Sequence, residues 1–279
     1  MSTFEVGIHY GIPEEEYHSI VAASSSRLSL LKRSPAHMKQ GRAPSKSFAD
    51  GTLIHKAVLE PALWSREHYV RAPVGDKRKK EVKQAWADAI DEYGEERLLP
   101  ADTYDMCHAI AMNVSLHPVA AAMLVDIDAE ATIMWLDPDT GVECKGRIDA
   151  LPRSGRWKTS IIDVKSTQDA SRNGFEQSFF RFGYYRQMAF YLSGLEKLGL
   201  WCPEAHIIAV EKAAPYASSI FRCDEGALDA GQQENRVLLR KYRECDEHDH
   251  WPAYPEDPQD ITIPSWAYAK VDDYLQENE

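Results

Sequence analysis

The stretch from Glu143 to Thr167 constrains the fold most, because it places charged side chains within two apolar strands. It reads Glu-Cys-Lys-Gly-Arg-Ile-Asp-Ala-Leu, then a short polar turn, then Ile-Ile-Asp-Val-Lys-Ser-Thr. Asp163 and Lys165 are two positions apart, so a strand directs both side chains to one face. A hairpin turn at residues 153–156 brings Asp149, which closes the first strand, beside them. The pattern predicts two carboxylates and an ammonium at one sheet edge.

Two carboxylates with an ammonium nearby suit the hydrolysis of a phosphodiester. Carboxylate oxygens bind Mg²⁺ or Mn²⁺, and the ammonium of Lys165 orients the attacking water or offsets negative charge in the transition state. An isolated Asp-x-Lys also fits an ordinary ion pair on a surface hairpin. The motifs around it therefore have to decide between the two interpretations.

An Asp on one strand followed by Asp-x-Lys on the next resembles the signature of the PD-(D/E)XK nuclease superfamily. The wording Gly-Arg-Ile-Asp-Ala-Leu and Ile-Asp-Val-Lys-Ser-Thr is most similar to the RecB and RecE branch of exonucleases. The resemblance implies that Asp149, Asp163 and the backbone carbonyl of Val164 bind one or two ions of Mg²⁺ or Mn²⁺. It also implies that Lys165, Asp149 and Asp163 are catalytic.

A histidine motif lies upstream of this stretch. Apolar residues at 53, 54, 57 and 58 predict a helix buried on one side, with His55 one residue off that stripe. A lone histidine is usually a hydrogen-bonded core or surface residue. Gly51-x-x-x-His55, however, resembles the RecB and RecE pattern in which this histidine contacts an active-site metal.

A Gln-x-x-x-Tyr motif lies downstream. Residues 175–198 predict one long helix, in which Gln187 and Tyr191 are four apart and share a face. In RecB-like sequences this motif lies beside the active site, so the resemblance implies that both residues hold Lys165 or the scissile strand. The alternative is an amphipathic helix with an aromatic core stripe.

The order of elements predicts an α/β fold with the restriction-endonuclease-like core of the PD-(D/E)XK superfamily, a mixed central sheet flanked by helices, with an N-terminal helical layer. A single nuclease domain at 1–279 comprises a mainly helical part at 1–128 with the His motif, a catalytic sheet core at 129–223, and a C-terminal helix and tail at 224–279. Trp266 and Tyr268 are expected to dock the tail. Glu130 opens the first core strand, where it either approaches the metal cluster or stands as an exposed carboxylate.

Positive charge is scarce, since the formal net charge is -12. A serine-capped helix that ends at Ser34-Pro35 resembles the N-terminal helix of RecB-type nucleases and carries Ser26, Arg27 and Lys32. The densest basic run carries Lys77, Arg78, Lys79 and Lys80. Each group either binds DNA phosphates or is structural, as a capped helix or as a solvated helix start capped by Asp76.

The five cysteines lack Cys-x-x-Cys spacing, which indicates reduced thiols and gives no support for the iron-sulfur cluster of some relatives in this branch. No apolar stretch approaches the ~20 residues that span a bilayer. We therefore expect a cytoplasmic protein of a bacterial host or phage, with no membrane partner.

Together the motifs predict a metal-dependent exonuclease of the RecE (exonuclease VIII) type. That resemblance implies 5'-to-3' degradation of linear double-stranded DNA from a free end, a single-strand annealing recombinase as partner, and a homo-oligomeric ring such as a toroidal tetramer. Two alternatives stay open. One is a structure-specific or restriction-type endonuclease on the same core, and the other is a non-catalytic DNA-binding or assembly module.

Overall fold

The computed structural model describes residues 4–41, 46–64 and 69–278, without the side chains of residues 46–48. The strands are β1 (Gly7–His9), β2 (Val70–Arg71), β3 (Leu98–Leu99), β4 (Ile127–Leu136), β5 (Glu143–Pro152), β6 (Ser160–Thr167), β7 (Glu204–Glu211) and β8 (Ser218–Arg222). The helices are α1 (Glu14–Ser19), α2 (Ser25–Arg33), α3 (Pro35–Gln40), α4 (Lys46–Leu59), α5 (Pro61–Leu63), α6 (Lys80–Tyr93), α7 (Ala101–Leu116), α8 (Pro118–Leu124), α9 (Arg172–Arg181), α10 (Tyr184–Lys197), α11 (Glu225–Glu247) and α12 (Ser265–Asn278).

A mixed six-stranded sheet, in the order β1-β4-β5-β6-β7-β8, forms the centre of the fold. β6 and β7 are parallel, whereas the other neighbours in this sheet are antiparallel. The predicted α/β fold with a mixed central sheet is therefore confirmed. The short edge strand β1 was not predicted, because three residues carry too little pattern to indicate a strand.

Both faces of the sheet are buried, and each is covered by its own helices. Ile161 and Ile207 belong to a core with α2, α10 and α11. Ile162 and Ile208 belong to a second core with α4, α7 and α8. Since side chains alternate along a strand, Asp163 and Lys165 share the face of Ile161, on which α10 packs.

The predicted long helix at 175–198 is wrong, because the chain breaks it into α9 and α10. Gly183 lies between them with φ of 69°, in the left-handed region that glycine adopts at little cost. A Cβ atom at this position would lie 2.6 Å from Nη2 of Arg186, so a larger residue would require that side chain to shift. Phe180 and Phe182, on the N-terminal side of the break, are exposed.

The expected docking of the tail is also wrong. Trp266 is 65% exposed and Tyr268 is 51% exposed, and α12 contains no buried residue. Among the described residues, none from α12 belongs to a hydrophobic core.

Among the described residues, no single helix is long and apolar enough to cross a membrane. α7 and α8 satisfy that test only as a pair, and the pair is bent by 96° at its break.

Candidate active site

Three side chains from three elements form a candidate metal centre. The ligand atoms of His55 on α4, Glu130 on β4 and Asp149 on β5 all lie within 4.8 Å of one another. Within the described residues, the ladder between β5 and β6 consists of Ala150 opposite Ile162. The strands separate beyond this pair, and the side chain of Asp149 enters the gap between them.

Asp149 is fixed in that gap by the backbone of β6. Its Oδ2 accepts a hydrogen bond from the Val164 N–H at 2.8 Å and lies 3.5 Å from Nδ1 of His55. A hydrogen bond between His55 and the backbone of Val164 raises the pKa of His55, although burial lowers it by more. The predicted ligands His55, Asp149 and Val164 are therefore neighbours.

Glu130 reaches the cluster through an unusual backbone conformation. Its φ is 54°, and it is skipped in the pairing of β4 with β5, although both of its neighbours are paired. A non-glycine residue at positive φ inside a strand is strained, and such strain concentrates at functional sites. Nη1 of Arg147 lies 3.3 Å from the Glu130 carboxylate. The Glu130 carboxylate thus lies beside His55 and Asp149, and its role as a metal ligand stays a prediction.

Asp163 and Lys165 form a buried ion pair beside this cluster. Nζ of Lys165 lies 2.5 Å from Oδ2 of Asp163, and their side chains are 13% and 2% exposed. Among the described residues, Oδ1 of Asp163 is buried without a hydrogen-bond partner. Since a buried polar atom is normally satisfied, this oxygen fits the role of a metal ligand.

Burial dominates the electrostatics of the site. It raises the pKa of Asp163 to about 6, with Asp149 adding to the rise and Lys165 opposing it. Burial likewise raises the pKa values of Asp149 and Glu130, and it lowers the pKa of His55 with help from Lys165. A cation at the centre would favour the ionised carboxylates and the neutral imidazole. The donor set therefore fits a divalent metal such as Mg²⁺ or Mn²⁺.

Lys165 stays protonated in this setting. Burial lowers its pKa, but Asp163 and Asp149 outweigh that effect, so the pKa is raised overall. The ammonium also lies 5.1 Å from the centre of the Tyr184 ring. Lys165 is therefore a fixed positive charge beside the metal centre.

Gln187 and Tyr191 lie on the face of α10 that covers the site. Nε2 of Gln187 donates a hydrogen bond to the Tyr191 hydroxyl at 2.8 Å. A Cβ atom at Gly146 would lie 2.8 Å from the Tyr191 ring, so the glycine makes room for it. Burial raises the pKa of Tyr191 well above its usual value, with Tyr17 and Asp163 contributing. The two residues thus lie next to the carboxylates, and the hydrogen bond they make is to each other.

Tyr17 and Tyr184 were missed as site residues. The ring of Tyr17 on α1 lies 4.4 Å from both the Lys145 ammonium and the Arg147 guanidinium. Burial raises its pKa to about 12, opposed by Arg147 and supported by Glu130. α1 is too short to show a periodic pattern of apolar residues, and the sequence does not show that Tyr17 lies against β5.

The predicted DNA-binding residues lie outside the carboxylate cluster, and several already have partners. Lys32 forms an ion pair with Glu234, Nζ of Lys77 lies 3.6 Å from the Trp86 ring, and Arg78 pairs with Asp76 at 3.0 Å. The hydroxyl of Ser26 lies 3.1 Å from that of Ser24, Arg27 is half-buried, and Lys79 and Lys80 are exposed. DNA binding by these residues stays a prediction.

The predicted helix cap at Asp76 is wrong. α6 begins after Lys79, which makes no side-chain cap, whereas Asp76 accepts a hydrogen bond from the Arg78 N–H at 3.0 Å. Asp76 therefore stabilises the turn before the helix, because its short side chain reaches a backbone N–H two residues on.

Comparisons with known proteins bear on the fold and on the family. A candidate exonuclease from Eubacterium rectale has a crystal structure that matches with a TM-score of 0.59 at 10% identity, over 93% of this chain and 98% of that one. A phage-related exonuclease from Haemophilus somnus 129PT gives 0.35 at 16% identity, over 82% and 96%. The first likeness shows a shared fold alone, and the second supports no conclusion. No curated protein sequence matches this chain.

The fold is that of the PD-(D/E)XK superfamily, as the resemblance predicted. Asp149 and Asp163-x-Lys165 lie on its adjacent strands β5 and β6. The chain belongs to the family described as PDDEXK-like domain of unknown function (DUF3799), which matches residues 24–261.

The raised carboxyl pKa values predict a pH-dependent metal effect. A carboxyl whose pKa is raised on folding stabilises the fold at low pH, and that contribution is lost as pH rises from its usual 3.8 through about 6 for Asp163. A metal ion binds the ionised carboxylate, so at low pH it has to displace the proton that the carboxyl group holds. We therefore expect Mn²⁺ to raise the Tm more at about pH 7.5 than at about pH 5. Thermal unfolding with Mn²⁺ or EDTA checks this, and an equal rise at both pH values would contradict it.

Proposed function

We propose that this protein is a divalent-metal-dependent exodeoxyribonuclease that degrades linear double-stranded DNA, 5'-to-3', for recombination or end processing. One observation carries the proposal. The carboxylates of Glu130 and Asp149 converge with His55, and the buried ion pair of Asp163 and Lys165 lies beside them, close enough for Asp149 and His55 to act on the pKa of Asp163. Family membership supports a nuclease, and the finer activity is our inference.

The residues have separate tasks in this proposal. Asp149 would be a ligand of the bound ion or ions, Asp163 and the Val164 carbonyl would hold one ion, and His55 would hold a second one, with Glu130 beside them. A divalent cation held there supplies positive charge to the scissile phosphate.

Lys165, Gln187 and Tyr191 have the remaining tasks in this proposal. Lys165, fixed by its ion pair with Asp163, orients the attacking water and offsets charge on the phosphate. Gln187 and Tyr191, joined by a 2.8 Å hydrogen bond, form the wall of α10 against which the scissile strand lies.

The preference for ends follows from the scarcity of free positive charge. The net charge is -12, and Lys32, Lys77 and Arg78 already contact protein groups. Such a surface holds an internal duplex site poorly, because phosphate binding depends on local positive charge. An end confined by a ring of subunits would be retained by topology. A single-strand annealing recombinase would then receive the strand that remains.

We predict that hydrolysis requires a DNA end. The test compares one plasmid, linearised or covalently closed, with Mg²⁺, Mn²⁺ or EDTA, and unlabelled trap DNA is added after loading. We expect mononucleotide release from the linear form alone, continuing after the trap and absent with EDTA. Labels at either terminus report the polarity.

Lys165→Ala serves as the control in this assay, because it separates the protein's own activity from a contaminating nuclease. Equal nicking of the closed circle would instead favour an endonuclease. Binding of both forms without cleavage would favour a non-catalytic module.

A further inference from the structure

Two phenylalanines are exposed at the break between α9 and α10. Phe180 is 74% exposed and Phe182 is 56% exposed, whereas Phe175 and Phe190 are each 2% exposed. Arg181 lies between the two and is also exposed. Large apolar side chains exposed within a short segment commonly mark a binding surface.

The surrounding aromatic rings hold this pair in place. The Phe180 ring is stacked on Tyr185, with centroids 6.2 Å apart and planes at 10°. The Phe182 ring lies 5.7 Å from that of Tyr184. The left-handed turn at Gly183 follows Phe182 directly, and Phe180 lies in the last turn of α9. Their outward faces are therefore presented by a supported backbone rather than by a loose loop.

This surface is continuous with the candidate active site. The Tyr184 ring, whose centroid lies 5.7 Å from that of Phe182, also has the Lys165 ammonium 5.1 Å from its centre. A strand whose phosphate reaches Lys165 would thus place its neighbouring bases at Phe182 and Phe180. We name these two residues the aromatic tip.

We propose that the aromatic tip stacks on unpaired nucleobases next to the scissile phosphate and so holds the terminal base pair open. The inference rests on the proposed function, and it names a binding site for bases. Base stacking on an aromatic ring tolerates any sequence, because every base has a π-face. It also needs no positive charge, which suits a protein with a net charge of -12. Arg181, whose guanidinium lies 5.6 Å from the Phe182 ring, would meet the adjoining phosphate.

A binding experiment tests the tip without cleavage. Duplexes carry 2-aminopurine in an unpaired terminal nucleotide, and fluorescence is followed in EDTA as the protein is added. Anisotropy of a distal dye reports total binding. We expect wild-type protein to quench the 2-aminopurine, and Phe180→Ala/Phe182→Ala to lose that quenching with roughly tenfold weaker binding.

A cleavage experiment tests the opened base pair. The double variant should degrade fully paired ends at least ~10-fold more slowly than wild type and recover on ends with several mismatched terminal nucleotides. Trp201→Ala is the matched control, because Trp201 is 75% exposed and follows the opposite end of α10. Rates close to wild type on both ends are expected for it.

The outcomes separate this inference from the proposed function. Wild-type cleavage with unchanged quenching and unchanged rates in the double variant overturns the aromatic tip alone. A wild type that neither binds nor cleaves DNA overturns both. A double variant that changes its sedimentation while its quenching stays intact overturns the tip as a base site and assigns it to a protein contact.

Discussion

Replacing Lys165 by alanine is expected to lower DNA cleavage by ~10²-fold or more while the protein stays folded. The ammonium is held 2.5 Å from Asp163, so its position is set before substrate binds. A charge fixed in advance at a buried site stabilises a transition state without reorganisation. The variant leaves Asp163 without its cation, which raises the carboxyl pKa beyond about 6, and a bound proton or metal ion then limits the cost in stability.

Lys158→Ala is the matched control for this variant. Lys158 is an exposed lysine in the turn between β5 and β6, far less constrained than Lys165. Circular dichroism and the Mn²⁺-induced rise in Tm should be preserved in both variants, and initial rates on linear DNA should fall in Lys165→Ala alone. Cleavage by Lys165→Ala within a few-fold of wild type would remove the residue from the mechanism.

The alternation of strand residues was enough to predict which face of β6 carries its charged side chains. Asp163 and Lys165 share a face because side chains alternate, and Asp149 joins them because a short turn makes the two strands neighbours. His55 came from a resemblance, since nothing in a single helix shows which strand it will face. These residues are found together in the structure, although their roles stay predictions.

Tertiary constraints decided the remainder of the site. Glu130 has a positive φ, is skipped in the pairing of β4 with β5 and pairs with Arg147, and no local pattern reports these features. The Tyr17 ring lies 4.4 Å from two cations of β5 that are distant in the chain. The break at Gly183 has a local signal, yet the helical pattern of the flanking aromatic residues concealed it.

Charge was the least predictable property. Lys32 and Arg78 suggested phosphate contacts because the sequence cannot show that Glu234 and Asp76 pair with them. Conversely, the sequence gives no sign that two phenylalanines of an aromatic helix are exposed. The surface that could meet DNA therefore depends on ring contacts as well as on basic residues.

Asp149→Asn is expected to stabilise the metal-free protein at neutral pH while abolishing both cleavage and the effect of metal. Burial raises the pKa of Asp149, which means that its ionised form opposes folding when no cation is bound. In the wild type, Oδ2 of Asp149 accepts a hydrogen bond from the Val164 N–H at 2.8 Å. Asparagine keeps the shape and an oxygen that can accept this bond, but it carries no charge. The amide therefore removes the cost of the buried charge together with the ligand.

The measurement pairs thermal unfolding in EDTA and in Mn²⁺ with cleavage of linear DNA. We expect a metal-free Tm at or above that of wild type, no rise with Mn²⁺, and a rate reduced at least as far as in Lys165→Ala. Glu143→Gln removes an exposed carboxylate from the same strand and should match wild type in all three. A Mn²⁺ shift retained in Asp149→Asn would place the metal elsewhere. A lower metal-free Tm would instead show that Asp149 is mainly structural. A buried carboxylate that serves as a metal ligand lowers the stability of the metal-free fold, and only metal binding offsets that cost.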